Sequence, residues 1–129
     1  MVYSLLDGIM YRWAVSHSFT VYGPLLTGAT TILYEGKPIG TPDAGAFWRL
    51  VSEYGAKTMF TAPTAMRAIA REDPKGEMAK RYDLSKLTSL FLAGERSDPE
   101  TLKWCQQVVG DHCTVIDNYW STECKFETM

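Results

Sequence analysis

"LTSLFLAGERSDPETLKWCQQVVGDHCTVIDNYW" (87–120) decides the fold, because it holds a strand, a helix and a second strand in a row. "LTSLFLAG" (87–94) is short, apolar and closed by glycine, as a buried strand is. Ser97 or Asp98 can cap the helix that follows, with Pro99 just inside it, where a missing N–H costs nothing. Leu102, Cys105 and Val109 recur at helical spacing, and Gly110 stands where that helix would end. "CTVIDNYW" (113–120) is the next strand. Strands joined through a helix make a βαβ unit, and hence a parallel pair.

The same pattern extends upstream. "TTILYE" (30–35) is a short β-branched run bounded by glycines and predicts a strand. "GKPIGTPDAG" (36–45) is a loop, in which Thr41 can cap the next helix with Pro42 at its first position. Ala44, Phe47, Trp48 and Val51 supply that helix with an apolar face, and Gly55 ends it. "KTMFTA" (57–62) is a strand, and Pro63 opens a short helix whose Met66, Ile69 and Ala70 share a face. "REDPKGEMAKRYDLSK" (71–86) predicts an exposed loop with some helix, its charges, Glu72 and Asp73 included, on a solvated face. "HSFTVYGPLLTGA" (17–29) predicts a further helix. Four strands separated by helices make an α/β fold, a parallel sheet with flanking helices.

A chain of 129 residues, 46% of them apolar, suits one domain with a real core, since single domains most often hold roughly 100–150 residues. The net charge of −2 comes from 13 basic and 15 acidic residues that are scattered rather than blocked. That gives no electrostatic case for nucleic acid or for an anionic membrane. Cys105, Cys113 and Cys124 are odd in number and lack a C-x-x-C pair, which favours free intracellular thiols over disulfides or zinc. "MVYSLLDGIMYRW" (1–13) has no basic flank, long apolar block or cleavage site, and Asp7 argues against a transit peptide. A soluble, intracellular protein is the expectation.

In open parallel sheets, ligands bind at the carboxyl ends of the strands. Two strands end in residues capable of chemistry, "FLAGER" (91–96) and "VIDNYWSTE" (115–123), and both ends fall on one rim. The glycine of "AGER" would let a flat base lie against the backbone, although the stretch also reads as a plain strand exit. "DNYWSTE" (117–123) holds an aromatic that can stack, a hydroxyl that can donate to phosphate and a glutamate suited to magnesium. Its other reading is a polar tail after the last strand. "EGKPIG" (35–40) is a surface turn, because Pro38 removes a donor and the next helix starts too late to cradle phosphate. No G-x-G-x-x-G supports a dinucleotide fold. His17, beside Trp13, Phe19 and Tyr22, reads as a packed or hydrogen-bonded histidine.

Together these motifs carry a resemblance. "HSFTVYGPLLTGATTILYEGKPIGTPDAGAFWRLVSEYGAKTMFTAPTAMRAI" (17–69), "LFLAGER" (90–96) and "DNYWSTE" resemble, in this order, the short-chain acyl-CoA synthetases of the adenylate-forming superfamily, above all the propionyl- and acetyl-CoA synthetases. The likeness runs from about Trp13 to Glu123. It implies part of the large N-terminal domain of such an enzyme. It also implies a two-step reaction, in which a short carboxylate and ATP give an acyl-adenylate and coenzyme A then displaces AMP. By resemblance, Gly94, Glu95 and Arg96 lie against one face of the adenine and Tyr119 against the other, while Asp117 and Asn118 line the base pocket. Thr122 meets the α-phosphate, and Glu123 binds magnesium. Trp120 walls a short acyl pocket with Ala14, Val15 and Ala93 around it, which favours acetate or propionate over longer acids.

Some positions depart from the family pattern. Tyr119 replaces a usual tryptophan, Ser121 replaces a common glutamine, and "CKFETM" (124–129) follows Glu123 in place of the family's continuation. The phosphate loop expected upstream, the ribose-binding aspartate and the small domain with its catalytic lysine are not in the sequence, and the first dozen residues fit poorly. An internal piece of a synthetase from the mitochondrial matrix or cytoplasm is the expectation, with little or no ligase activity alone. The alternative is a non-catalytic module with weak adenine-nucleotide affinity, or one that pairs with a full-length synthetase.

Overall fold

Five parallel strands form the sheet in the computed structural model, which describes residues 2–7, 14, 17–34, 36–119 and 121. In chain order the elements begin with β1 (Val2–Asp7), a π-helical segment (His17–Tyr22), α1 (Gly23–Leu26) and β2 (Thr30–Tyr34). Then come α2 (Ala46–Tyr54), β3 (Thr58–Thr61), α3 (Pro63–Glu72) and a 3-10 turn (Ala79–Arg81). The last are β4 (Ser89–Leu92), α4 (Pro99–Val109) and β5 (Thr114–Asp117). The sheet order is β2-β1-β3-β4-β5. Every pairing is parallel, as the strand–helix alternation requires.

The sequence predicts four strands, and the fifth is β1. It inserts between β2 and β3, pairing with β2 from Val2 to Asp7 and with β3 through Tyr3 and Thr58. "VYSLLD" is bounded by Asp7 and Gly8 on one side only, and a short apolar run does not by itself separate strand from helix.

Three helices cover one face of the sheet. Phe47, Trp48 and Val51 of α2, Met66 and Ile69 of α3, and Cys105 and Val109 of α4 are buried against Met59, Leu90 and Leu92 of the sheet. The Trp48 and Trp104 rings join α2 to α4, with centroids 6.4 Å apart. Strand alternation turns Phe60 and Ala93 to the opposite face, where Phe19 and Phe91 pack on them. The Phe19 and Phe60 rings stack there at 5.6 Å.

Helix boundaries follow local chemistry. Gly55 ends α2 at φ 60, Pro63 opens α3, and Gly110 follows α4, as predicted. Asp98 rather than Ser97 caps α4, its side chain accepting from the Thr101 N–H at 2.9 Å. Thr41 does not cap α2. Its hydroxyl accepts from the Lys37 N–H and donates to the Lys37 carbonyl, both at 2.8 Å, so it closes the preceding loop. The helix starts at Ala46, after an Asp43 turn in which the Gly45 N–H donates to Asp43 Oδ1 at 2.7 Å. The helix predicted over 17–29 divides into the π-helical segment and α1, with Pro24 in the first turn of α1.

The polar loop holds another correction. Glu72 is exposed as predicted, but Asp73 is buried. Its two oxygens accept the Glu77 and Met78 N–H groups, each at 2.7 Å. A carboxylate that terminates a helix and collects two amides is part of the scaffold, which a charge-rich stretch does not signal.

Candidate functional site

β4 and β5 lie side by side in a register that sets Leu92 opposite Asp117. Their carboxyl ends therefore emerge together. The Asn118 N–H donates to the Leu92 carbonyl at 2.7 Å, and the Ala93 N–H donates to the Thr61 carbonyl at 3.0 Å. These two bonds extend the ladder one step and fix where each chain turns away.

The two exits enclose a cavity of about 430 Å³ lined by Gly94, Glu95, Arg96, Asp117, Asn118 and Tyr119. That volume falls in the range of small-molecule sites, roughly 300–1,000 Å³. Gly94 sits at φ 100, a conformation that favours glycine. The Tyr119 side is 63% exposed, so its ring is free to stack. Asn118 is buried. Across the cavity floor the Ser97 N–H donates to Asp117 Oδ1 at 3.2 Å and ties one exit to the other.

The Glu95 carboxylate is held by residues of α3. Its Oε1 accepts from the Thr64 N–H at 2.9 Å, from the Thr64 hydroxyl, and from Arg67 at 2.8 Å. Thr64 stands at the amino end of α3, where amides lack helical partners and the dipole favours an anion. Arg67 also reaches Asp98 Oδ2 at 3.4 Å. The Thr64 hydroxyl, and then Arg67, hold the Glu95 carboxyl below its usual range. The Thr101 hydroxyl and amide, with Arg67, hold Asp98 down to about 2. Glu95 raises the Arg67 pKa in turn.

Of the residues predicted for the site, Gly94, Glu95, Arg96, Asp117, Asn118 and Tyr119 meet at one cavity. Ala93 is buried beside Phe60 on the opposite face of the sheet from the main core, and Ala14 is exposed. Val15, Trp120, Thr122 and Glu123 lie outside the described residues. Thr64, Arg67 and Asp98 were not singled out for the site by sequence. Arg67 and Glu95 are 28 positions apart, and no local pattern links them.

Other chemistry-bearing groups are occupied or muted. Burial pushes the Cys105 thiol up to about 12 and the Cys113 thiol to about 11, which leaves little thiolate at neutral pH. His17 is exposed and lies edge-on to Tyr22 at 6.4 Å. In the turn after β2, the Tyr34 hydroxyl donates to the Thr41 carbonyl at 2.6 Å and the Lys37 N–H is taken by Thr41 Oγ1. Among the described residues, no cluster of three or more His, Cys, Asp or Glu side chains could hold a metal ion. None of their helices is long and apolar enough to cross a membrane.

A parallel α/β sheet with a cavity over adjacent strand ends defines a small-ligand-binding α/β domain. The chain belongs to the AMP-binding enzyme family, which it matches over residues 9–128. It is 53% identical over 111 residues to "Acyl-CoA synthetase short-chain family member 3, mitochondrial" of Mus musculus, covering 86% of this chain and 16% of that protein. It is 44% identical over 117 residues to "Propionate--CoA ligase" of Salmonella typhimurium, covering 91% of this chain and 18% of that protein. With "Acyl-CoA synthetase short-chain family member B, mitochondrial" of Dictyostelium discoideum the identity is 44% over 111 residues, 86% of this chain and 16% of that protein. The chain thus spans less than a fifth of the length of these relatives.

Proposed function

We propose that this chain carries the base-recognition part of a short-chain acyl-CoA synthetase. The parent reaction activates propionate or acetate with ATP to an acyl-adenylate, releasing pyrophosphate, and the thiol of coenzyme A then takes the acyl group and releases AMP. The observation that carries this reading is the cavity formed where the turns 94–96 and 117–119 meet at the carboxyl ends of β4 and β5. Its shape and chemistry suit a purine. The Gly94 turn offers one face, the Tyr119 ring offers the other, and Asp117 and Asn118 supply polar edges. The names of the relatives support the choice of acid and thiol.

The remaining roles rest on resemblance. Thr122 donates its hydroxyl to the α-phosphate, and Trp120, with Ala14, Val15 and Ala93, limits the acyl group to a short chain. Glu123 offers the oxygen donor that a hard cation prefers, so magnesium, which neutralises phosphate charge when bound, is assigned to it.

The test is titration of AMP into the 129-residue chain, followed by calorimetry. Saturable binding that Tyr119→Ala weakens about fivefold or more is expected. Absence of binding at millimolar AMP overturns the reading. A second reading is a nucleotide-binding module without turnover. Pyrophosphate release with ATP, magnesium and propionate separates the two, since robust turnover excludes the module.

A further inference from the structure

We infer that Arg67 is a positioning residue. By spanning Glu95 and Asp98 it fixes the turn from Gly94 to Ser97 and so sets how well that wall of the cavity receives a flat base. The inference deepens the base-pocket reading and rests on it.

Besides the Ser97 N–H to Asp117 Oδ1 bond at its far end, the turn has little else to hold it. Among the described residues, the amides of Gly94, Glu95 and Arg96 have no backbone partner, and Gly94 adds its own conformational freedom. Its shape must come from side chains gripping its two ends. Thr64 grips Glu95, and Thr101 grips Asp98. Arg67 grips both, with one guanidinium nitrogen 2.8 Å from Glu95 Oε1 and the other 3.4 Å from Asp98 Oδ2. A rigid planar fork transmits position in a way that a single flexible charge does not.

The fork is itself anchored. Arg67 rides on α3 between Met66 and Ile69, both fully buried in the core. The chain of contacts therefore runs from packed helix to guanidinium, from guanidinium to carboxylate, and from carboxylate to cavity wall. Arg67 does not line the cavity, so it acts through Glu95 and not on the base.

The test uses the 129-residue chain unmodified and as R67Q, R67K, E95Q and R67Q/E95Q. Amide exchange is measured over 93–98, and AMP affinity by titration. R67Q is expected to speed exchange in the turn while β3 and β4 keep their protection. It should also weaken AMP about fivefold, the worth of a charge-assisted bond discounted for exposure. R67K should recover part of the loss, and the double variant should lose no more than R67Q alone, since R67Q already removes the link that E95Q weakens. If R67Q fails to fold, R67K and E95Q carry the same comparison. Unchanged exchange in a folded R67Q, AMP affinity equal to the unmodified chain, or additive losses overturns the inference. If the unmodified chain binds no AMP, the base-pocket reading falls and the affinity effect with it. If it binds and R67Q binds equally well, only the role of Arg67 falls.

Discussion

The Ser97 amide donates to Asp117 Oδ1 at 3.2 Å across 20 positions of sequence, and this bond joins the two walls of the cavity. One wall follows β4 and the other follows β5, so the bond fixes their spacing just beyond the last ladder pair, Leu92 and Asp117. Removing the acceptor leaves the Asn118 N–H to Leu92 carbonyl bond to hold the exits together. Asp117→Ala is expected to cost roughly 0.5–1.5 kcal/mol of stability and to weaken AMP about two- to tenfold. Asp117→Asn, which keeps a carbonyl oxygen at the same place, should lose less. Thermal melts and AMP titration of both variants check the ranking, and equal losses would show that charge and not the bond matters.

Tyr119 differs from Asp117 because its ring stands largely in solvent, 63% exposed. Stacking of a base on an aromatic ring is worth about 1–3 kcal/mol by alanine substitution. Tyr119→Ala should therefore weaken AMP about fivefold or more while stability changes by no more than about 0.5 kcal/mol. Tyr119→Trp offers a larger face and should tighten binding. A tryptophan variant that binds no better than alanine would place the base elsewhere.

Strand and helix order was legible because each helix carried its own punctuation. Gly55, Pro63 and Gly110 mark boundaries whose physical cause is local. The meeting of 94–96 with 117–119 was legible too, because a parallel sheet brings consecutive carboxyl ends to one edge. What escaped depended on distant partners. β1 becomes a strand by pairing on both sides, and its own residues do not declare it. Ser97 and Asp98 are both capable caps, and the choice falls to Asp98 with the Thr101 amide, hydroxyl and Arg67 around it. Thr41 could cap a helix but is taken by Lys37. The Arg67–Glu95 link has no local signature at all.

Acid should loosen the site before it unfolds the core. Asp98 is held down from its ordinary 3.8 to about 2, first by the Thr101 hydroxyl and amide and then by Arg67. Glu95 is held below 4.5 in the same direction by Thr64 and Arg67. A carboxyl whose folded pKa lies below its unfolded one stabilises above the unfolded value, and that stability is lost as pH falls through the folded value. These two groups thus contribute fully above about pH 4.5, and Asp98 loses its share between about pH 4 and about 2. Asp98→Asn should flatten this acid limb of a Tm-against-pH curve. Both carboxylates are partly exposed, so added salt should shrink the effect of their contacts with Arg67. An Asp98→Asn curve parallel to the unmodified one would remove Asp98 from the account.

Asp73 makes the sharpest test of scaffold against surface. It ends α3, where its N–H still donates to the Ile69 carbonyl at 2.8 Å, and its carboxylate then gathers the Glu77 and Met78 amides. The loop so formed presents the Pro74 carbonyl to Trp104 Nε1 at 3.1 Å and carries Ala79 into the core. Through it, α3, α4 and the 3-10 turn share one buried carboxylate. Asp73→Ala leaves two amides without that partner and should destabilise the chain by about 1–3 kcal/mol, or roughly 3–6 °C in Tm for each kcal/mol. Asp73→Asn keeps one acceptor oxygen, loses the other to an NH2 group, and should fall between. Glu72→Ala, one position earlier and exposed, should change stability by less than about 0.5 kcal/mol. Urea unfolding of the three variants decides the matter. If Asp73→Ala matches Glu72→Ala, the carboxylate is a solvated charge and the loop holds itself; a clear gap between them makes Asp73 the residue that locks α3 to the turn.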